Sequence, residues 1–363
     1  MKKTTTRLSD GRELIYFDGA DTMRCAEDRR LIEPSRPRSE LRYDPLLETW
    51  VIYASHRQER SHLPDVTECP LCPSGQGRST EVPESGYEVV VLENRFPALV
   101  SSPREQKSGT SLPHLEPALG DDEPAGRCEV VCFTADHGAS FADLAPERVD
   151  LVIDALVDRS LELGSLPGVE QVFCFENRGR EIGVTQPHPH GQIYAYPFIT
   201  PRTEKMLASA RSYHRRTRRN LFDDVLGAER CDGSRVVLTT EHWTAFVPRA
   251  SRWPFELHCY PNRRVADLPA LDSEQRGELP NVLLDIYGRF TRLFSKPAPY
   301  ISAWHQAPVR EGRHYFALHL ELFSFQRAEN KLKYLAGSES GMDVFASDIV
   351  PEVAAERLRA AVG

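Results

Sequence analysis

The chain predicts an α+β fold built from two similar halves, and three observations carry that prediction. Short runs rich in Val, Ile, Phe and Tyr recur along it, each of strand length. Two longer stretches carry apolar residues at helical spacing: Val149, Val152, Leu156 and Leu161 behind Pro146, and a matching run over 273–294. The order also repeats, strand–strand–helix–strand–strand, in units of roughly 130 residues, which reads as an internal duplication. A chain of 363 residues has room for such a pair.

Composition narrows the function. Hydrophobic content of 40% and charged content of 27% suit a soluble globular protein. A net charge of −8 argues against nucleic acid or an anionic membrane as the main partner. No apolar run approaches the length of a membrane span, and Met1-Lys2-Lys3-Thr4-Thr5-Thr6-Arg7 has no apolar core behind it, so no secretory signal is expected. Eight cysteines are few for this length and are not spaced like a disulfide framework; the expected compartment is the reducing cytoplasm.

Residues 1–40 are polar and charged and read as a short hairpin or arm over the core. The first repeat is expected over 41–202. It opens with a strand over 49–53, passes the basic turn Ser55-His56-Arg57-Gln58-Glu59-Arg60 and the pair in Cys69-Pro70-Leu71-Cys72, and reaches a strand over 87–92. That strand runs into Glu93-Asn94-Arg95-Phe96-Pro97. Residues 101–126, rich in Ser, Pro, Gly and acids, read as a mobile loop. A buried strand over 129–133 ends at Asp136-His137, the helix from Pro146 follows, and strands over 171–175 and 192–198 close the repeat. A basic amphipathic helix over 203–226 opens the second repeat, 203–330. Strands over 235–238, 244–247 and 256–260, the second helix, and strands over 300–305 and 316–321 complete it, with 331–363 as a tail.

The chemistry centres on Gln186-Pro187-His188-Pro189-His190-Gly191-Gln192. Each proline fixes its own φ and holds the residue before it extended. In an extended chain His188 and His190 share one face, about 6.5 Å apart. Gly191 leaves room for a ligand or another backbone, and Gln192 adds an amide donor on the histidine face. A neutral imidazole can ligate a metal or attack an electrophile. A metal-bound nitrogen has no lone pair left, so the two histidines can divide these tasks. A proline-rich loop with two surface histidines is the plainer alternative.

Cys69 and Cys72 form a Cys-x-x-Cys, and Pro70 and Pro73 speak against the helix start that a redox pair requires. Two thiolates need two further ligands to close a tetrahedral zinc site. The chain has no second Cys-x-x-Cys, so those ligands come from far away; His137 and His188 are the candidates. A Cys2His2 shell makes the bound zinc formally neutral, which suits a structural site anchoring the stretch before His190.

These residues carry a resemblance. From about Tyr43 to Arg359 the chain resembles the galactose-1-phosphate uridylyltransferase family, whose fold is a duplicated histidine-triad-like unit. The segments that carry it are Phe175-Glu176-Asn177-Arg178-Gly179, His188-Pro189-His190-Gly191-Gln192, Asp136-His137, Asn94-Arg95-Phe96-Pro97-Ala98-Leu99, Ala303-Trp304-His305-Gln306-Ala307-Pro308 and Ala354-Ala355-Glu356-Arg357-Leu358-Arg359. The resemblance implies a mixed, mostly antiparallel half-barrel sheet with helices outside, and one structural zinc ion per subunit on Cys69, Cys72, His137 and His188. It implies that His190 is a nucleophile on the α-phosphorus of UDP-glucose, that Gln192 contacts its non-bridging oxygens, and that galactose 1-phosphate then takes the uridylyl group. Arg57 and Arg60 fall on phosphate-neutralising positions, and Asn177 and Thr185 on phosphate-side hydrogen bonders. Asn94 and Phe96 fall in the uridine-contacting segment, and Lys333, Gly337 and Glu339 in a hexose-binding loop that such enzymes complete across a homodimer.

Bland readings stand beside these: a solvated turn for Arg57 and Arg60, core packing for Phe96. Ser338 stands where the family often has tyrosine, and a nearby family glutamine has no counterpart before Asp348. Some members hold a second metal on one glutamate and three histidines. Here His305 and His319 match, Glu321 replaces the third histidine, and the glutamate near Glu204 is out of register, so a core histidine is an equal reading of His305. The rival functions are a related nucleotide phosphorylase or adenylyltransferase acting on an ADP-sugar or dinucleotide, and a zinc-stabilised nucleotide binder without turnover.

Overall fold

The computed structural model describes residues 1–32, 39–59, 66–75, 77–100 and 126–362. Along the chain run β1 (Lys2–Arg7), β2 (Glu13–Asp18), β3 (Glu40–Asp44), β4 (Thr49–Tyr53), β5 (Val89–Glu93), β6 (Arg127–Cys132), α1 (Pro146–Gly164), β7 (Gln171–Arg178) and β8 (His190–Tyr196). There follow α2 (Pro201–Thr217), α3 (Leu221–Asp232), β9 (Val236–Thr239), β10 (Trp243–Phe246), β11 (Phe255–Pro261), α4 (Ser273–Arg292), β12 (Tyr300–His305) and β13 (His319–Ser324). A small ribbon of β14 (Gln326–Ala328) and β15 (Lys331–Leu332), then α5 (Gly337–Met342) and α6 (Pro351–Ala360), complete it. No helix among the described residues is long and apolar enough to cross a membrane.

Eleven strands form one sheet in the order β1-β2-β5-β6-β8-β7-β12-β13-β11-β10-β9, and every pairing in it is antiparallel rather than mixed. The order reads the same outward from the β7–β12 seam. Its register places Gln192, Phe175, Ala303 and Glu321 in a single row across β8, β7, β12 and β13. A two-fold relation about that seam makes Glu321 the counterpart of Gln192, and His319 that of His190. The duplication legible in the strand–helix order is therefore present residue by residue at the centre of the sheet.

Period-two alternation sorts each strand onto two faces. On β8, Gly191, Ile193 and Ala195 are buried while His190, Gln192, Tyr194 and Tyr196 are half-buried. The buried set joins Ile15, Val89, Val91, Val131 and Cys174 in the main core beneath α1, α4 and α6. Inside that layer the Arg159 guanidinium of α1 donates to both Glu129 oxygens, at 2.8 Å each, an ion pair fastening the helix to β6. On the opposite face, Leu14, Tyr16, Val90, Leu92 and Cys132 pack around the Cys69–Cys72 knuckle. Leu207 of α2 and Phe222 and Leu226 of α3 cover the second half, packing with Tyr260 of β11.

Several expectations change. The N-terminal arm is a hairpin that extends the main sheet through β2–β5, because its apolar residues 14–17 are buried on both faces. The strand over 49–53 forms a separate ribbon with β3. The single basic helix over 203–226 is two helices. Arg218 adopts a left-handed conformation (φ 61°), and the Asn220 side chain caps α3 by accepting from the Phe222 N–H at 2.9 Å. Of the loop expected over 101–126, all but Gly126 lies outside the described residues.

Candidate active site

Beside β8, the Sγ atoms of Cys69 and Cys72 and one ring nitrogen each of His137 and His188 lie within 4.8 Å of one another. Cys72 Sγ stands 3.3 Å from His137 Nδ1 and 3.5 Å from His188 Nδ1. Tetrahedral zinc with ordinary bond lengths has S···N edges of about 3.6 Å, so the donor set and its spacing fit such an ion. The orientation of His188 agrees. Its Nε2–H faces the Thr134 carbonyl at 2.8 Å and the Tyr87 hydroxyl oxygen at 2.7 Å, while that hydroxyl donates to the Leu71 carbonyl at 2.9 Å. The lone pair is left on Nδ1, toward the sulfurs. Burial pushes the His188 ring down to about 4, which keeps it neutral, and raises the Cys69 thiol to about 11, a shift that a bound cation reverses.

His190 is the first residue of β8, on the same face as Gln192. Its Nδ1–H donates to the His188 carbonyl at 2.7 Å, which places the lone pair of the neutral ring on Nε2. The metal cluster and the nucleophile candidate are thus joined through one backbone carbonyl. Of the two readings of Gly191, a ligand or another backbone, the structure bears out the second: a Cβ there would meet the Phe175 carbonyl at 3.1 Å and Phe133 Cζ at 3.0 Å.

Phe175 flanks Gln192 on β7, and Asn177 lies two residues further along that face. Phe175 meets Tyr194 edge-on at 5.1 Å and stacks on Phe173 at 5.1 Å, so an aromatic strip lines the floor beside the glutamine. Thr185 is half-buried in the return loop to β8, whose path requires Gly179 at φ 112°. Arg57 sits in a 3-10 turn at Ser55–Glu59. Its neighbour His56 donates from Nε2 to the Pro97 carbonyl at 2.9 Å, which ties the basic turn to the 94–99 segment. Within that segment Asn94 accepts from the Phe96 N–H at 2.9 Å, spending its side-chain oxygen on the turn, and Phe96 is half-buried. Arg60 lies outside the described residues.

Lys333, Gly337 and Glu339 are gathered elsewhere. Lys333 Nζ bonds Glu339 Oε1 at 2.9 Å and also the Ala346 carbonyl, and Glu339 accepts from the Ala336 N–H at 3.2 Å. Gly337 begins α5. The Lys333 ammonium holds the Glu339 carboxyl down to about 2. These contacts close on 333–346, beside exposed Tyr334, Leu335, Met342 and Val344.

In the second half His305, His319 and Glu321 also bring their ligand atoms within 4.8 Å of one another, all buried. Here a cation is already present: Arg202 Nη2 reaches Glu321 Oε1 at 2.8 Å and Oε2 at 2.6 Å. The set does not fit a second metal ion. Sequence reasoning missed Tyr87, the Thr134 carbonyl, Arg202 and the neighbouring Glu256–His258 pair. A backbone carbonyl leaves no signature, Tyr87 and Arg202 gain their partners from distant parts of the chain, and Glu256 and His258, two residues apart on β11, carry no motif.

Comparisons with known proteins bear on the whole chain. Residues 31–200 match the model of the galactose-1-phosphate uridyl transferase N-terminal domain, and residues 206–362 that of its C-terminal domain. A galactose-1-phosphate uridylyltransferase of Streptomyces lividans is 50% identical over 371 residues, covering 99% of this chain and 98% of the relative. That of Thermotoga maritima is 37% identical, covering 88% and 98%. A solved uridylyltransferase superposes with a TM-score of 0.77 at 28% identity, covering 88% of this chain and 97% of its own. Matched in both halves and along nearly its full length, the chain belongs to the galactose-1-phosphate uridylyltransferase family.

Proposed function

We propose that the protein exchanges UMP between UDP-glucose and galactose 1-phosphate, through a uridylyl group carried on His190. Nε2 attacks the α-phosphorus of UDP-glucose, the bond from that phosphorus to the bridging oxygen breaks, and glucose 1-phosphate leaves with the bridging oxygen. A phosphate oxygen of galactose 1-phosphate then attacks the same phosphorus, the P–N bond breaks, and UDP-galactose departs. Both half-reactions place similar charge on the non-bridging oxygens, so one cradle serves both. The Gln192 amide donates to those oxygens from the strand face it shares with His190, and Asn177 and Thr185 add phosphate-side donors. Arg57 and Arg60 neutralise the nucleotide phosphates, and Asn94 and Phe96 contact the uridine. A zinc ion on Cys69, Cys72, His137 and His188 supplies structural anchoring of the stretch leading to His190. Lys333, Gly337 and Glu339 serve the hexose, across a homodimer.

The observation that carries this reading is the commitment of the His190 Nδ1 proton to the His188 carbonyl at 2.7 Å, which leaves Nε2 as the reactive nitrogen. His190→Ala is expected to abolish exchange while leaving fold and metal intact. His190→Gly is expected to let uridylylated imidazole react with galactose 1-phosphate. Label from UDP-glucose, and not from ADP-glucose, should map to His190. Label on another residue, or substantial exchange by the Ala variant, overturns the mechanism. Preferential labelling by ADP-glucose favours the rival nucleotide specificity.

A further inference from the structure

The second half holds a buried copy of the reactive row. His319 begins β13 as His190 begins β8, and its Nδ1–H donates to the Ala317 carbonyl at 2.8 Å, the same two-residues-back bond. The copy is closed over: the ring is stacked on Tyr260 at 4.6 Å and on His305 at 4.9 Å. Its Nε2 is buried without a hydrogen-bond partner and faces Glu321 at 3.6 Å. Where the first half has the neutral amide of Gln192, this half has a carboxylate, and a buried carboxylate requires a counter-charge.

We infer that the guanidinium of Arg202 is the resident cation of this cluster and keeps a divalent metal ion out of it. One nitrogen, Nη2, lies 2.8 and 2.6 Å from the two Glu321 oxygens. The second carboxylate nearby, Glu256, is answered by His258 Nε2 at 2.9 Å. Each carboxylate already has its own partner, so a divalent ion on the buried His305, His319 and Glu321 would add two positive charges a few ångströms from an arginine, at ligands that are themselves out of water. The orphan lone pair of His319 marks what such an ion would otherwise use. Arg202 stands in the first turn of α2, directly after the strand that carries His190 and Gln192. The first turn of α2 thus supplies the charge that neutralises the second half's altered copy, and the ion pair fastens α2 over it.

Removing the guanidinium should therefore uncover a latent metal site. Wild-type protein and Arg202→Met are each dialysed against excess cobalt(II), and bound cobalt is counted by mass spectrometry and by absorption. Thiolate-bound cobalt gives intense near-ultraviolet charge transfer, whereas cobalt on histidine and carboxylate does not, so the count stands whatever the Cys69–Cys72 cluster holds. The wild type is expected to bind no cobalt lacking thiolate. Arg202→Met should gain one such ion per chain, and Arg202→Met with His319→Ala should lose it again. A non-thiolate cobalt in the wild type overturns the inference, as does a folded Arg202→Met that gains none. Should Arg202→Met fail to fold, the wild-type count decides in the same two directions.

Discussion

The two nitrogens of His188 face different partners, and that orientation rests on a residue the linear pattern does not single out. Tyr87 accepts from Nε2 at 2.7 Å while spending its own proton on Leu71, which holds Nδ1 toward the cysteines. Tyr87→Phe should weaken metal retention by roughly 10- to 100-fold, as loss of such an outer partner does; competition with a chromophoric chelator measures this, and unchanged retention would refute the role. Glu176 offers a pH test. It is buried beneath the sheet with Oε1 accepting from the Tyr300 hydroxyl at 2.9 Å, and burial pushes its acid up to about 7. An acid raised from an ordinary 4.5 binds more protons folded than unfolded between those values, so stability is full below pH 4.5 and falls as pH rises toward 7. The loss amounts to about 3 kcal/mol. Glu176→Gln should remove that slope, so that its advantage over wild type in urea denaturation grows from pH 5 to pH 8; parallel profiles would contradict a neutral buried acid.

Strand β8 does two jobs with one alternation. Its odd-numbered residues Ile193 and Ala195 are held in the core, and that pins His190 and Gln192 to the opposite face, since a one-residue slip would invert every side chain. Gly191 is the tight point, with Phe133 Cζ 3.0 Å from where a Cβ would sit. Gly191→Ala should cost roughly 1–3 kcal/mol by overpacking, seen as a lowered thermal midpoint. An unshifted midpoint would show that the Phe133 ring yields freely.

At the level of the assembled chain, the residues proposed for the hexose, Lys333, Gly337 and Glu339, stand in a segment that closes on itself and presents Tyr334, Leu335, Met342 and Val344 to solvent. In the proposed homodimer these four exposed apolar side chains are the ones a partner copy would cover. Mixing His190→Ala with Lys333→Ala subunits then gives a heterodimer in which one composite site is whole. Activity should return on mixing two inactive proteins, with light scattering reporting a dimer. No recovery in a proven heterodimer would place each site within one chain.

Much of this molecule follows from residue order alone. Apolar spacing located α1 and α4, and strand-forming runs located β6, β7 and β12, because those periodicities reflect one buried face and survive any tertiary context. The prolines and histidines of 186–192 pointed to an extended track because proline restricts φ locally; the chain instead bends at His188 and Pro189 and is a strand from His190 onward. What the linear pattern could not determine depends on partners brought from afar. The hairpin at 2–18 joined the main sheet because β5 offered an open edge. The helix expected over 203–226 broke where Asn220 could cap and Arg218 could turn left-handed. His305, His319 and Glu321 read as a possible metal set because the family resemblance placed one there, with a core histidine as an equal reading of His305. Only the tertiary fold brought the Arg202 charge to Glu321 on β13, since an ion pair across 119 residues leaves no trace in local sequence.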